Sequence, residues 1–235
     1  MAKWYARSQR VNAGWTSFLG LRTRLVIGPT MTNDDPSMLS TSREGVTPMV
    51  IELPSYRAEE ASFEDFKEWF GYFGSIDWQD RNWSRALGGA LQNHSPEDRV
   101  ASADLLLDHG ADPSVVMDDD NINVLHILFF GSYREHDFSA EAKVLKRLLD
   151  GGADINLRSP RFGLPLQALV SMAASDEHLK PFCDVVFARP DIDMSIIVNK
   201  VTGFSLGEKL VRSPRDVLPG LVREYMERSE GKANR

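Results

Sequence analysis

The sequence predicts an all-α repeat solenoid: about four helix–turn–helix repeats with short finger loops, preceded by an aromatic-rich capping helix. Three observations predict it. The phrase "LLLDHGADP" at residues 105–113 returns as "RLLDGGADIN" at residues 147–156. Ahead of each copy the apolar residues are spaced i, i+3, i+4, as Ala103, Leu106, Leu107 and as Leu145, Leu148, Leu149, which is one stripe of a helix. Behind each copy, "NVLHILFF", "GLPLQALV" and "GFSLGEKL" put Leu125, Leu166 and Leu206 in register at spacings near 40.

The elements follow in chain order. Residues 1–33 hold five basic residues (Lys3, Arg7, Arg10, Arg22, Arg24) and no acid. The apolar runs there are too short for a signal-peptide core. Three readings stay open: a disordered leader, a start codon set too early (Met31, Met38 and Met49 are alternatives), or a targeting or functional basic arm. Residues 31–48 are polar, carry no period, and read as linker. Residues 1–48 are therefore expected to be disordered leader and linker. An extended run, "MVIELP", follows. Ser62 then opens a helix, with Asp65 as its capping-box partner and Phe63, Phe66, Trp69 and Phe70 at helical spacing. Residues 49–77 are read as this strand and capping helix.

A degenerate first copy starts at Trp83 in "WSRALGGAL". The repeated phrase marks a corner. Gly110 and Gly152 stand where a helix ends on a left-handed residue. Asp112 and Asp154, two residues on, suit an Asx turn into an extended finger. A third copy reads Phe182, Val185, Val186 and then "FARPDIDM", with Arg189–Pro190 in place of Gly-Ala. Proline disfavours helix in the residue before it, so the helix still ends there, but the need for a left-handed corner is left open. The repeats run over residues 78–228, and residues 229–235 are read as a flexible tail.

These residues resemble an ankyrin-repeat protein: "GADP" and "GADIN" after a leucine-rich helix, with "VLH" and "LPLQ" in the place of that family's T-P-L-H. The period is nearer 40 than about 33, because residues are added between the two helices of a unit at "GSYREHDFSAE" and "MAASDEHLKP". The wording is similar to bacterial ankyrin proteins. Some of that kind are immunity partners that bind a toxin made by the same cell. The resemblance thus implies a protein partner, with a basic toxin domain as its concrete form and a general adaptor as the alternative.

Composition narrows the classes. The chain has 235 residues, a net charge of −7 and one cysteine. A length like this should bury roughly 70% of its unfolded surface without staples. An acidic chain lacks the basic footprint of a general nucleic-acid binder. One cysteine allows no intrachain disulfide and fits a reducing cytoplasm. No stretch approaches the ~20 apolar residues of a membrane span. A cytoplasmic monomer is expected, with no cofactor and no metal.

Catalytic motifs are missing as well. The five histidines form no HExxH pattern. His126 takes the position of the family's structural histidine, and His109 ends a helix. His136–Asp137, an adjacent pair in an inserted loop, is the best acid–base candidate and a weak one. Cys183 sits beside an apolar stripe and reads as a small buried hydrophobe. Binding residues are expected on the fingers and inserted loops. These are Asp118, Asp119, Asp120 and Asn121 on the first finger, Arg158, Arg161 and Phe162 on the second, and Lys200 on the third. Trp78, Tyr133, His136 and Asp137 complete the set. The sign of charge then changes along the row of tips, which favours one particular protein over a uniform polyanion.

Overall fold

Several helices in this chain begin where a capping oxygen precedes an apolar stripe. In the computed structural model, which describes residues 25–27, 49–51, 53–73, 81–117, 120–130 and 135–233, ten helices carry the described chain. Among the described residues the fold is all-α apart from one short strand pair. Strand β1 (Leu25–Ile27) runs antiparallel to β2 (Met49–Ile51), with Val26 opposite Val50. Residues 25–27 were expected in a disordered leader; a branched apolar triplet instead finds a matching one. Residues 1–24 and 28–48 lie outside the described residues.

The single capping helix is instead two. Pro54 opens α1 (Pro54–Glu60), where its missing N–H costs nothing at a helix start. The Ser62 hydroxyl then accepts from the Asp65 amide at 3.2 Å and opens α2 (Phe63–Phe73). Eight helices follow: α3 (Arg81–Ala90), α4 (Pro96–Asp108), α5 (Val124–Phe130), α6 (Phe138–Asp150), α7 (Pro165–Ser171), α8 (Asp176–Phe187), α9 (Leu206–Val211) and α10 (Leu218–Ala233). Ser95, Asp137, Ser175 and Ser205 each place a side-chain oxygen on an amide of the first turn. The residues expected as a flexible tail continue α10 through Ala233, because Arg228 in its last turns donates to the Phe187 carbonyl at 3.0 Å.

The helices fall in two rows. One row packs α1 on α3, α3 on α5 and α5 on α7; the other packs α2, α4, α6, α8 and α10 in succession. The core lies between the rows, with Leu87, Leu106, Leu125, Leu145, Phe182 and Leu206 all fully buried. Helix α5 is buried on every side from Val124 to Phe129, since neighbours in its row flank it and α6 backs it. Among the described residues no helix is long and apolar enough to cross a membrane.

Polar ties join each helix pair to the next. On the second row, Arg147 bonds Asp104 and Asp108, and Arg189 bonds Asp150, each about one unit back. Arg99 is fully buried between two loops and donates to the carbonyls of Asn93, His94 and Glu135. It also pairs with buried Glu141. Arg215 repeats the device further along, on the carbonyls of Val170, Met172 and Ala174 and on Asp176.

The two classes of tie predict different costs. Arg99→Leu leaves the Glu141 carboxylate buried against a lost cation and should cost about 3–5 kcal/mol. Arg147→Leu, at a site 38% exposed, should cost under about 1 kcal/mol. Urea unfolding of both variants measures the contrast. Glycine gives a second. A Cβ at Gly89 would stand 2.0 Å from the Ser55 carbonyl oxygen, so Gly89→Ala should destabilise by about 1–3 kcal/mol as α1 is pushed off α3. A Cβ at Gly220 meets nothing within 4 Å, and Gly220→Ala in α10 should gain about 0.5–1 kcal/mol. Thermal melts of the pair would show opposite shifts.

Candidate functional site

Helices α4, α6 and α8 each hand the chain to a hairpin, and these three fingers form the candidate site. The first corner has the predicted glycine, with Gly110 at φ 85° and the Ala111 amide donating to the Leu106 carbonyl at 3.0 Å. The second is the same, with Gly152 at φ 96° and Ala153 donating to Leu148 at 3.0 Å. Asp112 Oδ1 then accepts from the Ser114 amide at 2.8 Å, and Asp154 Oδ1 from the Asn156 amide at 2.7 Å. The third corner uses no left-handed residue: Ala188 stays right-handed and the Arg189 amide bonds the Val186 carbonyl. Its Asx turn is intact, with Asp193 Oδ1 accepting from the Ser195 amide at 2.9 Å.

The aspartates align the first arms of the three fingers, which then close over loops of different length. Finger 1 closes at Met117 opposite Ile122, finger 2 at Ser159 opposite Gly163, and finger 3 at Ile197 opposite Ser205. Neighbouring fingers are bonded at base and tip. At the base, Asn123 Nδ2 donates to the Asp154 carbonyl at 2.7 Å, and Asn156 Nδ2 to the Asp191 carbonyl at 2.7 Å. At the tip, Asn121 Nδ2 donates to the Arg158 carbonyl at 2.9 Å, and Ser159 Oγ to the Asp120 carbonyl at 2.7 Å. Arg161 lies 3.5 Å from the Asp120 carboxylate, and the Arg158 guanidinium donates to the Ile197 carbonyl. Asn121, at φ 55°, is a non-glycine residue suited to that left-handed turn.

His126 ties the first row to the fingers. Its Nε2 lies 3.1 Å from the Gly163 carbonyl, and its Nδ1 lies 2.9 Å from Asn123 Oδ1 and 3.3 Å from the Asn123 backbone nitrogen. The side chain is fully buried, as its structural reading implies. His109 caps α4, with Nδ1 2.8 Å from the Leu105 carbonyl and its ring against Phe70.

Several expected contact residues play other parts. Phe162 is 8% exposed and packs edge-on to Phe130 at 5.1 Å. It is core, because finger 2 folds its aromatic under the hairpin. Asp137 is the N-cap of α6, accepting from the Ser139 and Ala140 amides. The His136 side chain is 5% exposed and faces Glu141 Oε2 at 2.8 Å, beside Arg99. The His136–Asp137 pair therefore points its two members at different structural partners, and neither lies on the fingers. Trp78, Asp118, Asp119 and Tyr133 lie outside the described residues. Asp120, Asn121, Arg158 and Arg161 meet at the tips of fingers 1 and 2, and Lys200 is exposed on finger 3.

The residues that sequence reasoning passed over are aliphatic. Val116, Arg158 and Ile197 hold equivalent places in the three fingers, with Val116 and Ile197 46% and 47% exposed. Val201, at the apex of finger 3, is 96% exposed. The signal was available in the Asp112, Asp154, Asp193 register, which the Arg189–Pro190 departure obscured.

Chemistry is poorly supplied. Among the described residues no group of three His, Cys, Asp or Glu side chains converges to hold a metal ion. Cys183 is buried and its thiol is pushed up to about 11 by burial, so it is a poor nucleophile. An apolar cleft beside it, lined by Leu169, Leu179, Val217 and Leu221, has a half-buried ion pair, Asp176–Arg215, engaged in further hydrogen bonds.

Burial holds the His126 imidazole below its ordinary pKa, against the pull of the Gly163 carbonyl and Asp154. The unfolded chain takes up this proton as pH falls through about 6.5, before the folded chain does. Stability from this group is complete above that pH and is lost as pH falls toward the folded value. His126→Gln should therefore show a flatter loss of stability than the parent between about pH 7.5 and about pH 5.5, read by urea midpoints.

Comparison with known proteins completes the description. No family model matches the chain, and no curated protein matches it. The fold is similar to that of a solved structure, a functionally unknown protein from Leptotrichia buccalis C-1013-b. The two share 20% identity and a TM-score of 0.59, over 75% of this chain and 94% of that one.

Proposed function

We propose that this chain is a non-enzymatic protein-binding module built as an ankyrin-type repeat solenoid. The helix pairs α3–α4, α5–α6, α7–α8 and α9–α10 are its four units, and α1–α2 is an N-terminal cap stacked in the same two rows. The observation that carries the reading is the finger row. Three hairpins are bonded to one another at base and tip, so their outward side chains form one pre-organised edge. Pre-organisation lowers the ordering cost of binding, and a repeated edge lets side chains vary without disturbing the core.

The concrete version is an immunity protein that occludes a toxin's basic surface. A net charge of −7 and the acid-rich first finger support a partner with basic groups facing that end. The alternative, a cytoplasmic adaptor, has the same edge and differs in the number of partners.

Affinity purification of the tagged full chain from its own cells, followed by mass spectrometry, tests the reading. One stoichiometric protein is expected. Loss of that protein's catalytic activity on binding would establish the immunity version, several sub-stoichiometric partners would favour the adaptor, and recovery of none would remove the binding proposal.

A further inference from the structure

The finger edge is not uniformly acidic, and its two ends ask for different chemistry. Beyond the turn aspartates Asp154 and Asp193, finger 2 to Gly163 and finger 3 to Ser205 contain Arg158, Arg161 and Lys200 and no further acid. Arg161 shares Asp120 with finger 1. Arg212 stacks over Phe204 at 4.4 Å and brings a further cation to the side of finger 3. On the adjoining helix the Glu208 carboxylate is engaged by the Ser205 amide at 2.8 Å. A local cationic surface on a chain of net charge −7 is a departure from the background.

Aliphatic side chains stand among these cations. Ile197 is 47% exposed beside the Arg158 guanidinium, which bonds its carbonyl. Val201 is 96% exposed, next to exposed Lys200. The apex is a fixed turn: Asn199 Oδ1 accepts from the Val201 and Thr202 amides at 2.9 and 3.2 Å, and the Gly203 amide closes on the Asn199 carbonyl at 2.9 Å. A β-branched aliphatic held out at a rigid apex gains nothing from the fold, and it is positioned to lose its water to a partner.

We infer that fingers 2 and 3 dock a segment of a protein partner that carries carboxylates interleaved with aliphatic side chains. The carboxylates meet Arg158, Lys200 and Arg212, and the aliphatics cover Ile197 and Val201. This rests on the protein-binding reading and deepens it: the partner is bipolar, basic toward finger 1 and acidic toward fingers 2 and 3. A nucleic acid suits the edge less well. Three or four cations release few counterions, and exposed Ile197 and Val201 offer bases no stacking surface.

Site-specific photocrosslinking tests this on the full chain in the cells that make it. p-Benzoylphenylalanine is placed in turn at Val201, at Ile197, at Arg85 on α3 and at Lys143 on α6, and the crosslinked peptide is identified by mass spectrometry. Crosslinks at Val201 and Ile197 are expected, to one protein segment bearing excess Asp and Glu beside Leu, Ile or Val. Lys200→Glu together with Arg158→Glu should lower the yield at least about tenfold, as should Val201→Asp, whose fully exposed site leaves folding untouched. Crosslinks at Arg85 or Lys143 alone would overturn the inference and leave the binding reading standing. A basic segment or a nucleic acid captured at Val201 would overturn it too, as would yields unmoved by the charge reversals. No crosslink from any position would overturn both.

Discussion

The finger row depends on reversing the chain at the ends of α4, α6 and α8. A helix leaves its last carbonyls without partners, and the chain must turn sharply enough to start a hairpin. Gly110 and Gly152 solve both needs at once: a left-handed residue lets the following amide reach back to the Leu106 or Leu148 carbonyl. The next aspartate then locks the exit direction. That direction sets the spacing of the fingers, which decides whether Asn123 and Asn156 can reach the next base. The third corner reaches the same exit with right-handed geometry, so the Asx turn, present all three times, is the more general determinant.

The corners were legible in the sequence because backbone constraints restrict residue type. Few residues tolerate a left-handed φ, and few bond a nearby amide from their own side chain, so Gly and Asp recur as letters. Helical stripes were legible for the same kind of reason. The second-row ties were hidden in plain view: Arg147, Arg189 and Arg228 recur at separations of 42 and 39, but an arginine on a helix usually signals solvent. Phe162 was misread because an aromatic between two arginines looks exposed in one dimension. In three dimensions the hairpin turns it inward onto Phe130. His136 was misread alike, since nothing local announces that Glu141 and Arg99 are waiting for it.

The site is harder to read than the fold, and the difference is physical. Core positions are constrained by shape and corners by backbone angles. An exposed finger residue answers only to its partner, and the partner is not in the chain. What makes the tips interpretable is contrast with their surroundings. Val201 at an apex, in a row of charges, stands out once its exposure is known.

The ties between helix pairs share one property with a long reach. Most end on main-chain carbonyls: Arg99 on Asn93, His94 and Glu135, Arg215 on Val170, Met172 and Ala174, Arg228 on Phe187, and the two asparagines on Asp154 and Asp191. Every residue type supplies that oxygen. In these ties the accepting half is therefore invisible to mutation, and only the donor is under constraint. A lineage built this way can replace most of its letters and keep its joints. A similar fold at 20% identity is compatible with such joints.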